Sequence, residues 1–357
     1  MALIRLKPQG PTAGREVLGL QYLRGIAAMM VVTAHLSEQI ARRVGGEFNL
    51  AALTSGVDIF FVISGFVMAY STDEGNKLSA ETFLARRLLR IAPLYWICTG
   101  FMLLVMLTVP QFTQNAQLDW PHVIKSFAFV ASPHPVFPDR YFPLLIPGWT
   151  INYEMFFYAL FALSIWAGSR KLMPPMLAVT LILVALVTLG AILRPAGVLG
   201  FYTDPVMLEF LLGIFIAIAT NRGAKLPAVV IVPLAIAAFA LLAFPPKAGA
   251  RLLIIGLPAA VIVFALATVE VPKLKSLLTI GDASYSLYLS HVFTASAYSQ
   301  VMSRTPILSS FAGQVAFIVL GVTVCTIGGV LCWYIVERPV TERLRRQFLP
   351  RREAVAG

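Results

Sequence analysis

The sequence predicts an all-α integral membrane protein, a bundle of about ten transmembrane helices. Three observations carry that prediction. Of 357 residues, 58% are hydrophobic and 13% charged, against roughly half and a quarter in soluble domains, so the chain needs lipid as its solvent. The apolar residues come in runs close to the roughly 20 that a helix needs to cross the hydrocarbon layer. They also lack the short alternation of barrel strands. Finally, the basic residues concentrate in alternate connections between the runs.

In chain order the runs fall near 20–40, 53–71, 88–109, 150–167, 175–193, 206–220, 226–244, 251–268, 283–301 and 311–336. The run at 206–220 is short, and those at 226–244 and 251–268 lie close together, so nine or eleven spans also satisfy the pattern. With ten, both termini are cytoplasmic. The inner segments then hold nineteen of the 28 Lys and Arg and the outer ones eight, with Arg24 inside the first span. That asymmetry fixes topology. It also accounts for the net charge of +11 without a nucleic acid partner.

The first run carries Arg24 and His35 and is followed by no small-residue cleavage site, unlike a removable signal peptide. The chain reads as a single transmembrane domain over 1–357, with a membrane core of about 18–340 and short basic cytoplasmic tails, 1–17 and 341–357. The loop 110–149, assigned outside, contains Pro110, Pro121, Pro133, Pro135, Pro138, Pro143 and Pro147, which rule out a continuous helix. Its aromatic residues predict that it folds onto the membrane domain. Cys98, Cys325 and Cys332 lie inside spans, and neither a disulfide framework nor a metal-ligand spacing is present. No internal repeat stands out, which weakens the case for an inverted-repeat transporter.

Ionisable groups inside spans are costly and mark candidate sites. Arg24 and His35 are 11 residues apart, close to three turns, so they share a face about 16 Å apart along the first helix. A lone histidine is often just hydrogen-bonded to a neighbouring helix. Three carboxylates at similar depth favour function here: Asp58, opening the second span, Glu154 the fourth and Glu209 the sixth. A carboxylate near a helix start also interacts with the dipole, an explanation strongest for Asp204. With Trp149 and Tyr153, these groups are candidates to line an outward-facing pocket suited to sugar hydroxyls.

On the inner side, Arg86, Arg87 and Arg90 fall at spacings of three and four and serve one helical face. They suit either lipid headgroups or a phosphate-rich ligand, since arginine pairs bidentately with phosphate oxygens. His291 follows Ser284 by seven residues, with Tyr288 between them. Counted from 283, it lies about 12 Å into its span and nearer the cytoplasm than His35, which predicts separate roles for the two histidines.

Six segments, in order across about residues 18–340, resemble the bacterial membrane acyltransferase family 3. They are Leu23-Arg24-Gly25-Ile26-Ala27-Ala28 with His35; Gly56-Val57-Asp58 through Phe66; Arg87 and Arg90 with Pro93 and Tyr95-Trp96; Trp149 through Glu154 with Tyr158; Ser284 through Tyr288 with His291; and Glu337-Arg338-Pro339. The resemblance implies O-acyl transfer from cytoplasmic acyl-CoA, usually acetyl-CoA, to a carbohydrate at the bacterial inner (plasma) membrane. Tyr158, Asp204-Pro205 and Leu208-Glu209-Phe210 resemble the exopolysaccharide-production branch.

The expected catalytic group is His35, Glu154, Asp58 and His291. The expected acyl-CoA group is Arg24, Arg86, Arg87 and Arg90, and the acceptor group is Trp149, Tyr153, Asp204 and Glu209. No permanently bound cofactor or metal is expected. Acyl-CoA, carbohydrate and membrane lipid are the expected partners, and some relatives carry an extra hydrolase-like domain whose work a partner protein would supply. The competing reading is a transporter or flippase of a lipid-linked sugar, which needs no CoA thioester.

Overall fold

The computed structural model describes residues 17–44, 49–72, 79–109, 117–244 and 251–348. The outer parts of the predicted tails, 1–16 and 349–357, and Pro110 lie outside the described residues. Among those described, all regular structure is helical: α1 (Leu18–Val44), α2 (Gly56–Thr72), α3 (Ala80–Thr108), α4 (Trp120–Phe127), α5 (Trp149–Ser169), α6 (Pro175–Leu193), α7 (Gly197–Tyr202), α8 (Met207–Asn221), α9 (Ala228–Leu241), α10 (Leu257–Thr268), α11 (Lys275–Asp282), α12 (Ser284–Met302), α13 (Phe311–Cys332) and α14 (Arg338–Phe348). Each of the ten apolar runs falls on a helix. Among the described residues, five stretches are long and apolar enough to cross a membrane: Ala51–Tyr70, Ala80–Thr108, Pro175–Leu193, Gly197–Asn221 and Phe311–Phe348. Ala228–Leu241 and Leu252–Thr268 are apolar but shorter.

The helices gather into two compact units, each made of separate stretches of chain. One contains α1, α2 and α8–α13, and the other α3–α7 and α14.

In the first unit, α2 and α8 form the most extensive helix pair. A Cβ on Gly65 would lie 1.9 Å from the Phe210 carbonyl oxygen, and one on Gly213 2.0 Å from that of Val62. The two backbones therefore touch. In lipid, where burying apolar surface gives helices little reason to associate, such close approach at small residues is what holds them together.

Helix α2 does not begin at the level where α1 ends. The backbone N–H of Leu50 donates to Ser37 Oγ at 3.0 Å, and Gly56 lies against the carbonyl of Ala27. Between these points the chain runs back along α1 by ten residues, about 15 Å, partly as a 3-10 turn over Ala51–Ser55. At the start of α1, the Tyr22 hydroxyl donates to the Pro272 carbonyl at 2.7 Å and accepts from the Leu274 N–H at 2.8 Å. Gly281 and Ile280 of α11 lie against Gln21 and Gly25 of α1. This places α11 beside the first turns of α1, with α12 following alongside. Helix α13 packs back on α12, where the Tyr298 hydroxyl donates to the Phe317 carbonyl at 2.9 Å.

In the second unit, Ser79 caps α3 by accepting the Thr82 N–H at 3.2 Å. The described part of the proline-rich segment, 117–148, folds onto this helix, as its aromatic content predicts. The Tyr95 hydroxyl donates to the Ser126 carbonyl at 3.0 Å, and Trp96 Nε1 donates to the Phe127 carbonyl at 2.8 Å. Gly148 abuts the Tyr95 ring, so α5 starts beside the middle of α3. Helix α14 packs on α3.

Candidate active site

The two histidines meet. His35 Nδ1 lies 2.7 Å from His291 Nε2, with ring planes 12° apart and centroids 5.0 Å apart. This corrects the different depths expected from spacing. The count from residue 283 omitted α11, whose eight residues lie beside the start of α1 and add about 12 Å. His291 is fully buried, while His35 is partly exposed. The second nitrogen of His291, Nδ1, lies 2.7 Å from the Tyr288 carbonyl oxygen. That carbonyl, rather than a serine hydroxyl, satisfies the ring.

Asp58 and Glu209 also come together in this unit, each in the first turn of its helix. Spacing did not single out their partner, Arg251. Its Nη2 donates to Asp58 Oδ1 at 2.6 Å, and its Nε lies 3.9 Å from Glu209 Oε1. Arg251 stands immediately before a turn of π-helix, Leu252–Gly256, an irregularity frequent at functional sites. Both carboxyls are buried, and together they outnumber their arginine.

Asp204 serves its own turn, with Oδ1 accepting the Val206 N–H at 2.8 Å ahead of α8. Arg24 is buried near the start of α1, where Nη1 donates to Gln21 Oε1 at 3.4 Å. Gln21 in turn donates through Nε2 to Asp282 Oδ1.

In the second unit, the Arg87 guanidinium lies 5.6 Å from the Phe83 ring centroid and 5.9 Å from that of Tyr158, favourable cation–π placements. The Tyr158 hydroxyl donates to Glu154 Oε1. Glu154 thus belongs with the arginine group, whereas Asp58 and Glu209 belong to the other unit. Arg90 and Arg86 have a further basic neighbour, Arg345 of α14. The sequence hid this residue in a basic tail that topology alone explained. Trp149 is edge-on to Tyr153, which stacks on Phe201 with centroids 3.9 Å apart. Among the described residues, no three His, Cys, Asp or Glu side chains are arranged to hold a metal ion.

Helix α4 and the segment after it carry a second histidine cluster. His122 Nδ1 lies 3.0 Å from Ser132 Oγ, and His134 Nδ1 accepts the N–H groups of Val136 and Phe137 at 3.2 and 3.3 Å. Burial pushes both rings below the usual histidine pKa, and for His122 the neighbouring His134 adds to the effect. A depressed folded-state pKa means that the fold favours the neutral ring. The associated stability is complete above the unfolded value of about 6.5 and is lost as pH falls through the folded pKa. Amide hydrogen exchange over 120–148, corrected for intrinsic rates, should therefore be faster at pH 5 than at pH 7.5. His122→Asn should reduce that difference.

A family profile described as an acyltransferase domain, that of acyltransferase family 3, matches residues 17–333. The chain belongs to this acyltransferase family. It is 33% identical over 319 residues to the exopolysaccharide production protein ExoZ of Rhizobium meliloti (strain 1021), covering 85% of this chain and 94% of that protein. It is 27% identical over 361 residues to the acyltransferase MdmB of Streptomyces mycarofaciens, covering 91% and 92%. Protein 2 in the picA locus of Rhizobium radiobacter is 27% identical over 159 residues, covering 40% of this chain and 79% of that protein. No solved structure matches. Family membership makes the chain a transferase of acyl groups, and its apolar helices are those of a membrane protein.

Proposed function

We propose that this acyltransferase moves an acetyl group from cytoplasmic acetyl-CoA to a hydroxyl of an exopolysaccharide. In this reading the single transmembrane domain crosses the bacterial inner membrane about ten times, with both termini in the cytoplasm. The observation that carries the mechanism is the His35–His291 contact, a histidine pair within the apolar bundle of a family of acyl transferases. His35 is the general base. It takes the proton from the acceptor hydroxyl as the oxygen attacks the thioester carbonyl, the C–S bond breaks, and the proton passes to the departing CoA sulfur. A thioester is already activated, so alignment and deprotonation are the main requirements. The kinship with ExoZ supports a polysaccharide acceptor.

Arg86, Arg87, Arg90 and Arg345 hold the donor's phosphates. Hydrogen bonds to charged groups are worth about 1.5–3 kcal/mol each. The Arg87→Ala/Arg90→Ala double variant should therefore raise the KM for acetyl-CoA by about tenfold or more and change kcat less. The experiment is purified protein in lipid discs with radiolabelled acetyl-CoA and polysaccharide, followed by counting label in the polymer. Absence of CoA-dependent label from the wild type would remove the enzymatic reading, and an unchanged KM in the double variant would remove the donor assignment.

A further inference from the structure

The histidine pair has an internal directionality that follows from what each atom can do. A carbonyl oxygen only accepts. The 2.7 Å contact between His291 Nδ1 and the Tyr288 carbonyl therefore requires the proton of neutral His291 to sit on Nδ1. Its Nε2 is then a bare acceptor. The atom 2.7 Å from that acceptor is His35 Nδ1, so His35 must donate from Nδ1. Near-parallel planes, 12° apart, with centroids as far apart as 5.0 Å describe two rings joined edge to edge, with the N–H of one directed along the lone pair of the other. What remains is His35 Nε2, which in this neutral tautomer carries no proton.

We infer that His291 is a positioning residue that fixes the tautomer of His35, leaving Nε2 of His35 as the atom that removes the acceptor proton. The inference rests on the proposed role of His35 as base and specifies which nitrogen acts and what holds it. The packing supports it. Leu287 of α12 lies against Gly329 of α13, and the Tyr288 ring is edge-on to Phe60 with centroids 5.8 Å apart. The turn that presents the Tyr288 carbonyl is thus held from two sides. The charges also remain simple through the reaction. When His35 gains the acceptor proton at Nε2, its Nδ1–H still donates to the bare Nε2 of His291. His291 neither gains nor loses a proton, and the proton on His35 leaves to the CoA sulfur.

The test uses the full chain in lipid discs with two substitutions that a merely structural role would not separate. In His291→Gln, the amide oxygen can accept from His35 Nδ1. In His291→Leu, nothing can. Expected is a kcat within about tenfold of wild type for His291→Gln and a loss of about 100-fold or more for His291→Leu, with the KM for acetyl-CoA unchanged in both. Nitrogen-15 spectra of labelled histidine, assigned with a His35 variant, should show His35 protonated at Nδ1 in the wild type.

Two outcomes would overturn the inference: a folded His291→Gln as inactive as His291→Leu, or a wild-type His35 protonated at Nε2. The latter needs no variant to fold. Full activity in His35→Ala would instead remove the underlying reading of His35 as base, so the two failures are distinguishable.

Discussion

His35→Ala is expected to lower acyl transfer by about 10²–10⁴-fold, the usual contribution of a positioned general base, while acetyl-CoA still binds. The side chain is partly exposed and belongs to a helix held along its length by neighbours, so the variant should fold. Its effect should appear in kcat at saturating donor, because the proposed phosphate contacts lie on other residues. His35→Gln should be nearly as slow as alanine, since an amide preserves shape and hydrogen bonding but not basicity. Transfer measured against donor concentration, with CoA binding measured separately, checks this. A His35→Ala protein with wild-type kcat would sink the base assignment.

The second large effect is on stability, at Arg251. Removing one partner of a buried ion pair typically costs roughly 3–5 kcal/mol, because the remaining charge is left buried and uncompensated. Here two buried carboxyls would lose the same cation. Arg251 is 40% exposed at its side chain against 1% for Asp58, so solvent screening places the expected cost of Arg251→Ala near the lower end, about 3 kcal/mol. The sharper expectation is non-additivity. Adding Asp58→Asn to Arg251→Ala removes one of the stranded charges and should recover part of the loss, although Asp58→Asn alone should destabilise. Thermal unfolding in detergent across the four proteins measures the coupling. Strict additivity would show that the pair contributes nothing as a pair.

Much of the helical architecture was legible, because an apolar run of some twenty residues admits few structures in lipid. The residues of chemical interest were legible for the same reason: His35, Asp58, Glu209 and His291 stand out against apolar neighbours. Their pairing was not. The polar helix α11 does not register as part of an apolar run, so the depth of His291 was counted from the wrong point. Arg251 was absorbed into the charge count of an outer connection, although two carboxylates nearby needed a cation. Glu154 looked like an outer-pocket acid because it opens an apolar run. Only the contact of Gly148 with the Tyr95 ring reveals that this run begins beside the middle of α3.

The backward step of the chain between Leu50 and Gly56 has one more implication. Non-helical backbone at hydrocarbon depth is tolerated only where protein shelters it or water reaches it. Between Leu50 and Gly56 the protein sets a 3-10 turn, rather than an apolar α-helix, alongside the stretch of α1 that carries His35. Under the proposed function, the acceptor hydroxyl would approach the imidazole past the peptide groups of this turn rather than past lipid alone.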